Sequence, residues 1–227
     1  MVPFRCALSI LASLICSVSA AAAPSGNSAN LAKRDNGLPA RVPYVFPPPG
    51  TNAIADAIRA QKNGTLLDLD GVTLNAPLFA QASNGLVSVI RRNNTIPPAM
   101  RELIILRVVT LNSASYMWLQ HEPVTREVGL TTEQLRAIRL APPFFASKGV
   151  NLTSTLGHDL EAAMIFTDWI TLNVHVPDDV FDAMRPILND EQLVEGSMTA
   201  AEYNSGSRWI VTMNVDGMMD VPVPIPS

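Results

Sequence analysis

Apolar residues recur every three to four positions along most of the chain after Gly50, the period of helices that bury one face, and no stretch carries a convincing β-hairpin signal. The first such segment places Ile54, Ala57, Ile58 and Gln61 at helical spacing, with Asn52 available as its cap. A second opens near Asn75 and Pro77, where a first turn tolerates proline, and ends near Ile90 before the loop Asn93-Asn94-Thr95. From Pro98 to Leu111 the sequence PAMRELIILRVVTL is almost solidly apolar after its Arg-Glu pair, which predicts a central helix buried on most sides. Asn112 and Ser113 are expected to turn the chain and cap a helix from about Ala114 to Val128, which Gly129 stops. Thr131-Thr132-Glu133-Gln134 supplies a capping box for a short helix ending near Leu140, before Pro142 and Pro143 break the pattern. A long segment from His158 to Asn173, a shorter one opened by Pro177-Asp178-Asp179 and a last one from about Asp190 through Asn214 complete an all-α helical bundle.

The two ends read differently. Arg5, an apolar run from Ala7 to Ile15 and the small residues Val18-Ser19-Ala20 form a secretory signal pattern over 1–20, with cleavage able to extend to 23. Lys33-Arg34 then resembles a dibasic kexin-type site of secreted fungal proteins, which would make 21–34 a propeptide and Asp35 the mature start; a solvated charge pair is the other reading. Residues 35–50 form a proline-rich arm, 51–216 the helical domain, and 217–227 an extended tail ending in VPVPIPS, expected to lie on its own surface or a neighbour's. Cys6 and Cys16 both fall inside the signal, so a processed chain has no thiol chemistry at all. Sequons at Asn63, Asn93 and Asn151 agree with secretion and glycosylation, and each needs a surface loop.

Hydrophobic residues make up 48% of the chain and charged residues 16%, so a sizeable core is expected. The formal net charge is −4, and losing Arg5, Lys33 and Arg34 would make it more negative. That balance gives no general attraction to nucleic acid or to anionic membranes. The expected localisation is extracellular, with no membrane association after processing. The apolar stretch from Leu103 to Leu111, the Met-rich C-terminus with Met213, Met218 and Met219, and the low charge predict a homo-oligomer.

One pair of residues is placed for chemistry. If the Pro98–Leu111 and Ala114–Val128 segments are helices joined by a tight turn, Glu102 and His121 sit at similar heights, each roughly 12–15 Å from it at 1.5 Å per residue. A carboxylate within reach of an imidazole fixes its tautomer and raises its basicity, giving a proton donor and acceptor near neutral pH. A hydrogen-bonded pair that merely locks the hairpin has the same spacing. His158 and His175 share no metal-ligand spacing with His121, and no metal site is expected. Ser205-Gly206-Ser207 lacks the flanks of a nucleophile elbow.

RELIILRVVTLNSASYMWLQHEPVTREVGL resembles the central segment of the carboxymuconolactone decarboxylase and AhpD-like superfamily, and LVEGSMTAAEYNSGSRWI is similar to its closing helix, with Tyr203, Asn204, Ser207 and Arg208 in the ending. The resemblance covers about residues 52 to 215 and implies an AhpD-like helical bundle. In the thiol-active branch a glutamate is followed by two cysteines and a histidine; Glu102 and His121 match, while the cysteine positions hold Ala114 and Met117. That removes disulfide and hydroperoxidase activity.

What remains resembles the lactone decarboxylase branch, which implies small carboxylated lactones as substrates and no cofactor. In that reading His121 is the proton donor, and Glu102 orients and polarises it. Arg101 or Arg107 neutralises the substrate, or caps buried acids; Tyr116, Met117 and Trp118 line the pocket, or are ordinary core. The resemblance also implies trimers or hexamers. The expected function is therefore a secreted, cofactor-free lyase or isomerase acting by acid and base chemistry on a lactone or carboxylated ring compound. The alternatives are a noncatalytic module holding a small ligand and an effector-like protein whose outer surface does the work. A pocket opening onto both Glu102 and His121 favours the first.

Overall fold

A computed structural model describes residues 40–227. The signal segment, the spacer ending in Lys33-Arg34 and positions 35–39 of the arm lie outside the described residues. Ten helices follow in order: α1 Ala53–Ala60, α2 Asp68–Thr73, α3 Pro77–Arg92, α4 Pro98–Leu111, α5 Ser115–Glu127, α6 Thr132–Leu140, α7 Thr153–Leu156, α8 His158–Leu172, α9 Asp178–Asp182 and α10 Asp190–Thr212. Single 3₁₀ turns occupy Ala146–Lys148 and Val215–Gly217, and the described residues include no strand. The fold is all-α, as the helical spacing predicts. Two short helices were not anticipated: α2 spans six residues with Gly71 at its centre and α7 only four, too few for a period to show.

α4 is the axis of the bundle and packs on α5, α6, α8 and α10. Leu103, Ile104, Ile105, Leu106, Val108 and Val109 are all buried, so the helix is apolar on every side because it has core on every side. Pro98 opens it at the first helical position. At its other end Ser113 takes a left-handed conformation, φ 55°, and the chain reverses into α5. The expected cap does not form. The Asn112 amide donates instead to Asn204 Oδ1 at 2.9 Å and Ser207 Oγ at 2.6 Å on α10, and α5 follows Ala114 without a side-chain cap. Asn52 caps α1, and Thr131 with Gln134 forms the expected box before α6. Gly129 lies at φ 98°, where only glycine is unstrained, and ends the segment after α5.

Both proline-rich ends lie along their own chain. Val45 N–H donates to Gly71 O at 2.9 Å and Asn75 Nδ2 to Pro43 O at 2.8 Å, while a Cβ on Gly71 would stand 2.6 Å from the Phe46 ring. The tail is held by arginines: Arg136 and Arg139 donate to Pro226 O and Val223 O at 3.0 Å each. Arg126 reaches Ser227 O and the Ser115 hydroxyl donates to Val221 O. Asn63, Asn93 and Asn151 are all exposed.

Candidate active site

Glu102, in the first turns of α4, and His121, midway along α5, meet across the hairpin, with Glu102 Oε2 3.0 Å from His121 Nδ1. Arg101 Nε donates to the other carboxylate oxygen at 3.2 Å. Glu102 is 1% exposed and His121 5%. The Tyr203 ring from α10 stands edge-on to the imidazole, centroids 5.1 Å apart and planes at 84°. Thr125 Oγ1 donates to the His121 carbonyl at 2.8 Å, within a helix that contains Pro123.

Burial by itself would raise the Glu102 carboxyl, but the hydrogen bond and charge of His121 and the charge of Arg101 outweigh it and hold it below the ordinary carboxylate value. For His121 burial acts the other way. It pushes the imidazole below its ordinary value, helped by Arg91 and Arg101 and only partly countered by Glu102. The resting pair is therefore a carboxylate and a neutral imidazole whose Nδ1–H donates to Glu102. Nε2 then carries no proton, and no described residue hydrogen-bonds to it. In this state His121 is poised first to accept a proton, and Glu102 would stabilise the imidazolium that results.

A cavity of about 460 Å³ opens onto both residues. That volume suits a small organic molecule. Its walls come from the turn after α1, from the start of α2, from α3, from α4 and α5, and from α10. Arg101, Tyr116 and Met117 line it as expected, and Met117 brings a thioether where a thiol would otherwise sit. Ala114, at the other cysteine position, is buried outside the lining.

Two expected lining residues are elsewhere. Arg107 is fully buried and clamps Asp168 through Nε at 2.5 Å and Nη2 at 2.8 Å; its remaining donors go to the carbonyls of Ile138, Ala141 and Pro142. It faces the α6 side because five residues separate it from Glu102, well over a quarter turn around α4. Trp118 is also fully buried and donates to Glu122 Oε2 at 2.7 Å, one turn further along α5, and neither residue lines the cavity.

The sequence reading missed Arg91, Glu202 and, as a lining residue, Tyr203. Every other described arginine donates at least one hydrogen bond to a protein acceptor, whereas Arg91 donates none and lines the cavity. Nothing in its place in the last turn of α3 signals a neighbour thirty residues on. Tyr203 could have been found through the closing-helix ending, whose Asn204 and Ser207 tie α10 to the α4–α5 turn. His158 and His175 are exposed and remote from the pair. Among the described residues no group of three or more His, Cys, Asp or Glu is arranged to hold a metal ion.

The model of the Carboxymuconolactone decarboxylase family matches residues 77–146. That span runs from the first residue of α3 past α6 and contains Glu102, His121, Arg91, Arg101, Tyr116 and Met117. No curated protein and no solved structure gives a significant match.

Proposed function

From a chain that is carboxymuconolactone decarboxylase-like over α3 to α6, we propose a secreted, cofactor-free lyase or isomerase that moves protons on a small lactone or carboxylated ring compound, not a thiol peroxidase. The observation that carries this reading is that the Glu102–His121 pair is not sealed: both residues line one cavity of small-molecule size. A pair that only locked a hairpin would have no use for that space.

The geometry supports the following steps. His121 Nε2 accepts a proton from carbon, and Glu102 balances the imidazolium charge that results. Arg91, with no hydrogen-bond partner among the described residues, and Arg101, whose Nη groups donate to none of them, offer two guanidinium groups to a substrate carboxylate. Tyr116 and Met117 supply apolar contact to a ring.

Secretion, glycosylation at Asn63, Asn93 and Asn151, and assembly into a trimer or hexamer belong to the same proposal. Exposed Leu78, Phe79, Leu86 and Val89 on α3 are apolar surface that assembly would cover. No helix among the described residues is long and apolar enough to cross a membrane. The test is to incubate the purified protein with carboxymuconolactone and a panel of lactones and ring acids, beside His121→Ala. Turnover that the substitution abolishes is expected; turnover that survives it overturns the mechanism.

A further inference from the structure

A decarboxylation ends with a proton delivered to carbon, and resting His121 has none to deliver; a double-bond shift whose proton leaves and returns at separated carbons needs a donor placed apart from the base. The one ring proton of His121 is directed at Glu102, and Nε2 is bare. Some other group lining the cavity must hold a transferable proton. Arginines do not release theirs. Lys62 is held by Asp70 at 2.6 Å. The phenols of Tyr116 and Tyr203 are driven far above their ordinary values by burial, which makes them poor donors.

Glu202 is left. It stands on α10 next to Tyr203, whose ring packs edge-on against His121, and it lines the same cavity. It is half-buried, and no described residue makes a hydrogen bond or ion pair with it. The carboxyl is partly desolvated and no described residue offsets that, so it faces the cavity as an available acid. Burial raises its carboxyl above the ordinary value, whereas Glu102 is held below. Two carboxyls pushed apart in one cavity divide into an acid and a fixed anion.

We infer that Glu202 is the proton donor of this cavity and His121 the base, an assignment that rests on the acid/base reading above. When the bound ring compound loses carbon dioxide, or loses a proton to His121 Nε2, the electron pair of the broken bond moves into the ring carbonyl. It returns to form a C–H bond with the Glu202 proton, leaving Glu202 as a carboxylate. After decarboxylation that carboxylate regains a proton from solvent; after a double-bond shift it regains the one His121 took. No electrons are gained or lost overall and no co-reactant is consumed.

The ionisable groups that share the cavity with Glu202 are Arg91 and Arg92 from α3, Arg101 and Glu102 from α4, Tyr116 and His121 from α5, Lys62 after α1 and Tyr203 on its own helix. The three arginines hold their charge throughout, and of the others Glu202 alone is both unpaired among the described residues and a usable acid. Turnover by the wild type should therefore fall as pH rises through the raised Glu202 value, a limb that Glu202→Gln cannot show.

The experiment measures carboxymuconolactone turnover against pH for the purified wild type, Glu202→Gln, Glu202→Ala and Glu202→Asp. Expected are a loss in kcat of about 100-fold or more for Gln and Ala, KM within about threefold, disappearance of the basic limb, and partial rescue by Asp, which also carries the test should the others fail to fold. An active wild type whose Glu202→Gln keeps kcat within twofold, or keeps the limb, overturns the inference alone. A wild type that turns over nothing overturns the acid/base reading and this inference with it.

Discussion

Five residues apart on α4, Glu102 and Arg107 anchor two buried ionisable pairs with opposite surroundings. Arg107 and Asp168 are completely enclosed, and their hydrogen-bonding capacity is spent: the guanidinium serves Asp168 and three carbonyls, and Asp168 Oδ2 also accepts from the Phe144 N–H at 2.7 Å. Glu102 and His121 are nearly as buried, yet the far edge of the imidazole meets a cavity instead of a protein acceptor or donor. The difference separates a staple from a site. Burial is nearly the same on both faces of the helix; what distinguishes them is whether the polar groups are all satisfied.

The largest expected effect lies on the staple side. Arg107→Met alone strands a buried Asp168 carboxylate and should cost about 3–5 kcal/mol, read as a fall in the urea midpoint. Arg107→Met combined with Asp168→Leu should recover most of that loss, since no unpaired charge is left behind. If the single substitution changes the midpoint no more than the double, the staple is not what closes the segment between α6 and α8.

On the site side the same kind of truncation should spare stability and remove activity. His121→Ala leaves Glu102 its Arg101 partner, so the fold should survive while turnover falls by about 10²–10⁴-fold. A protein that unfolds at His121→Ala yet tolerates Arg107→Met would reverse the comparison.

Acid should act on the site pair with a definite sign. The folded value of His121 is lowered, so between its unfolded value near about 6.5 and its folded value the unfolded chain binds more protons, and stability falls as pH drops through that window. Glu102 is also lowered; its contribution is present above the ordinary carboxylate value of about 4.3 and is lost as pH falls through the folded one. Urea midpoints measured from pH 7.5 downward should decline in wild type, and His121→Ala should flatten the upper part of the decline. An identical slope in both would show that the imidazole is not held neutral by burial.

Smaller effects concern sulfur. Met117 lines the cavity 8% exposed, so mild peroxide should weaken ligand binding several-fold in the parent and less in Met117→Leu. Dithiothreitol and alkylating agents should change nothing in a chain beginning at Asp35, which contains no cysteine. An activity that responds to dithiothreitol would contradict the site as described.

The long helices were legible because each combines a period with punctuation. Pro98 and the Asn112-Ser113 turn bound α4 within the residues expected, and Thr131 with Gln134 marks the start of α6. The Glu102–His121 meeting was legible for a related reason: equal distances from a tight turn place two side chains at one height, and only the agreement of faces was open. Arg107 and Trp118 went astray on that agreement. Spacing from a turn gives height along a helix, while the angle around it depends on which neighbours α4 and α5 pack against.

What the sequence by itself determined is local and one-dimensional: the helices, the turn that pairs α4 with α5, the absence of any thiol beyond Cys16, and the acid and histidine at matching heights. Those features follow from periodicity, capping and residue chemistry within about fifteen positions. Only the tertiary structure decided that the pair faces open space, that Arg91 from α3 and Glu202 from α10 face the same space, and that Arg107 is spent on Asp168 sixty-one residues away. A cavity is the place where packing fails to fill volume, and that depends on every helix surrounding it rather than on any single stretch of chain.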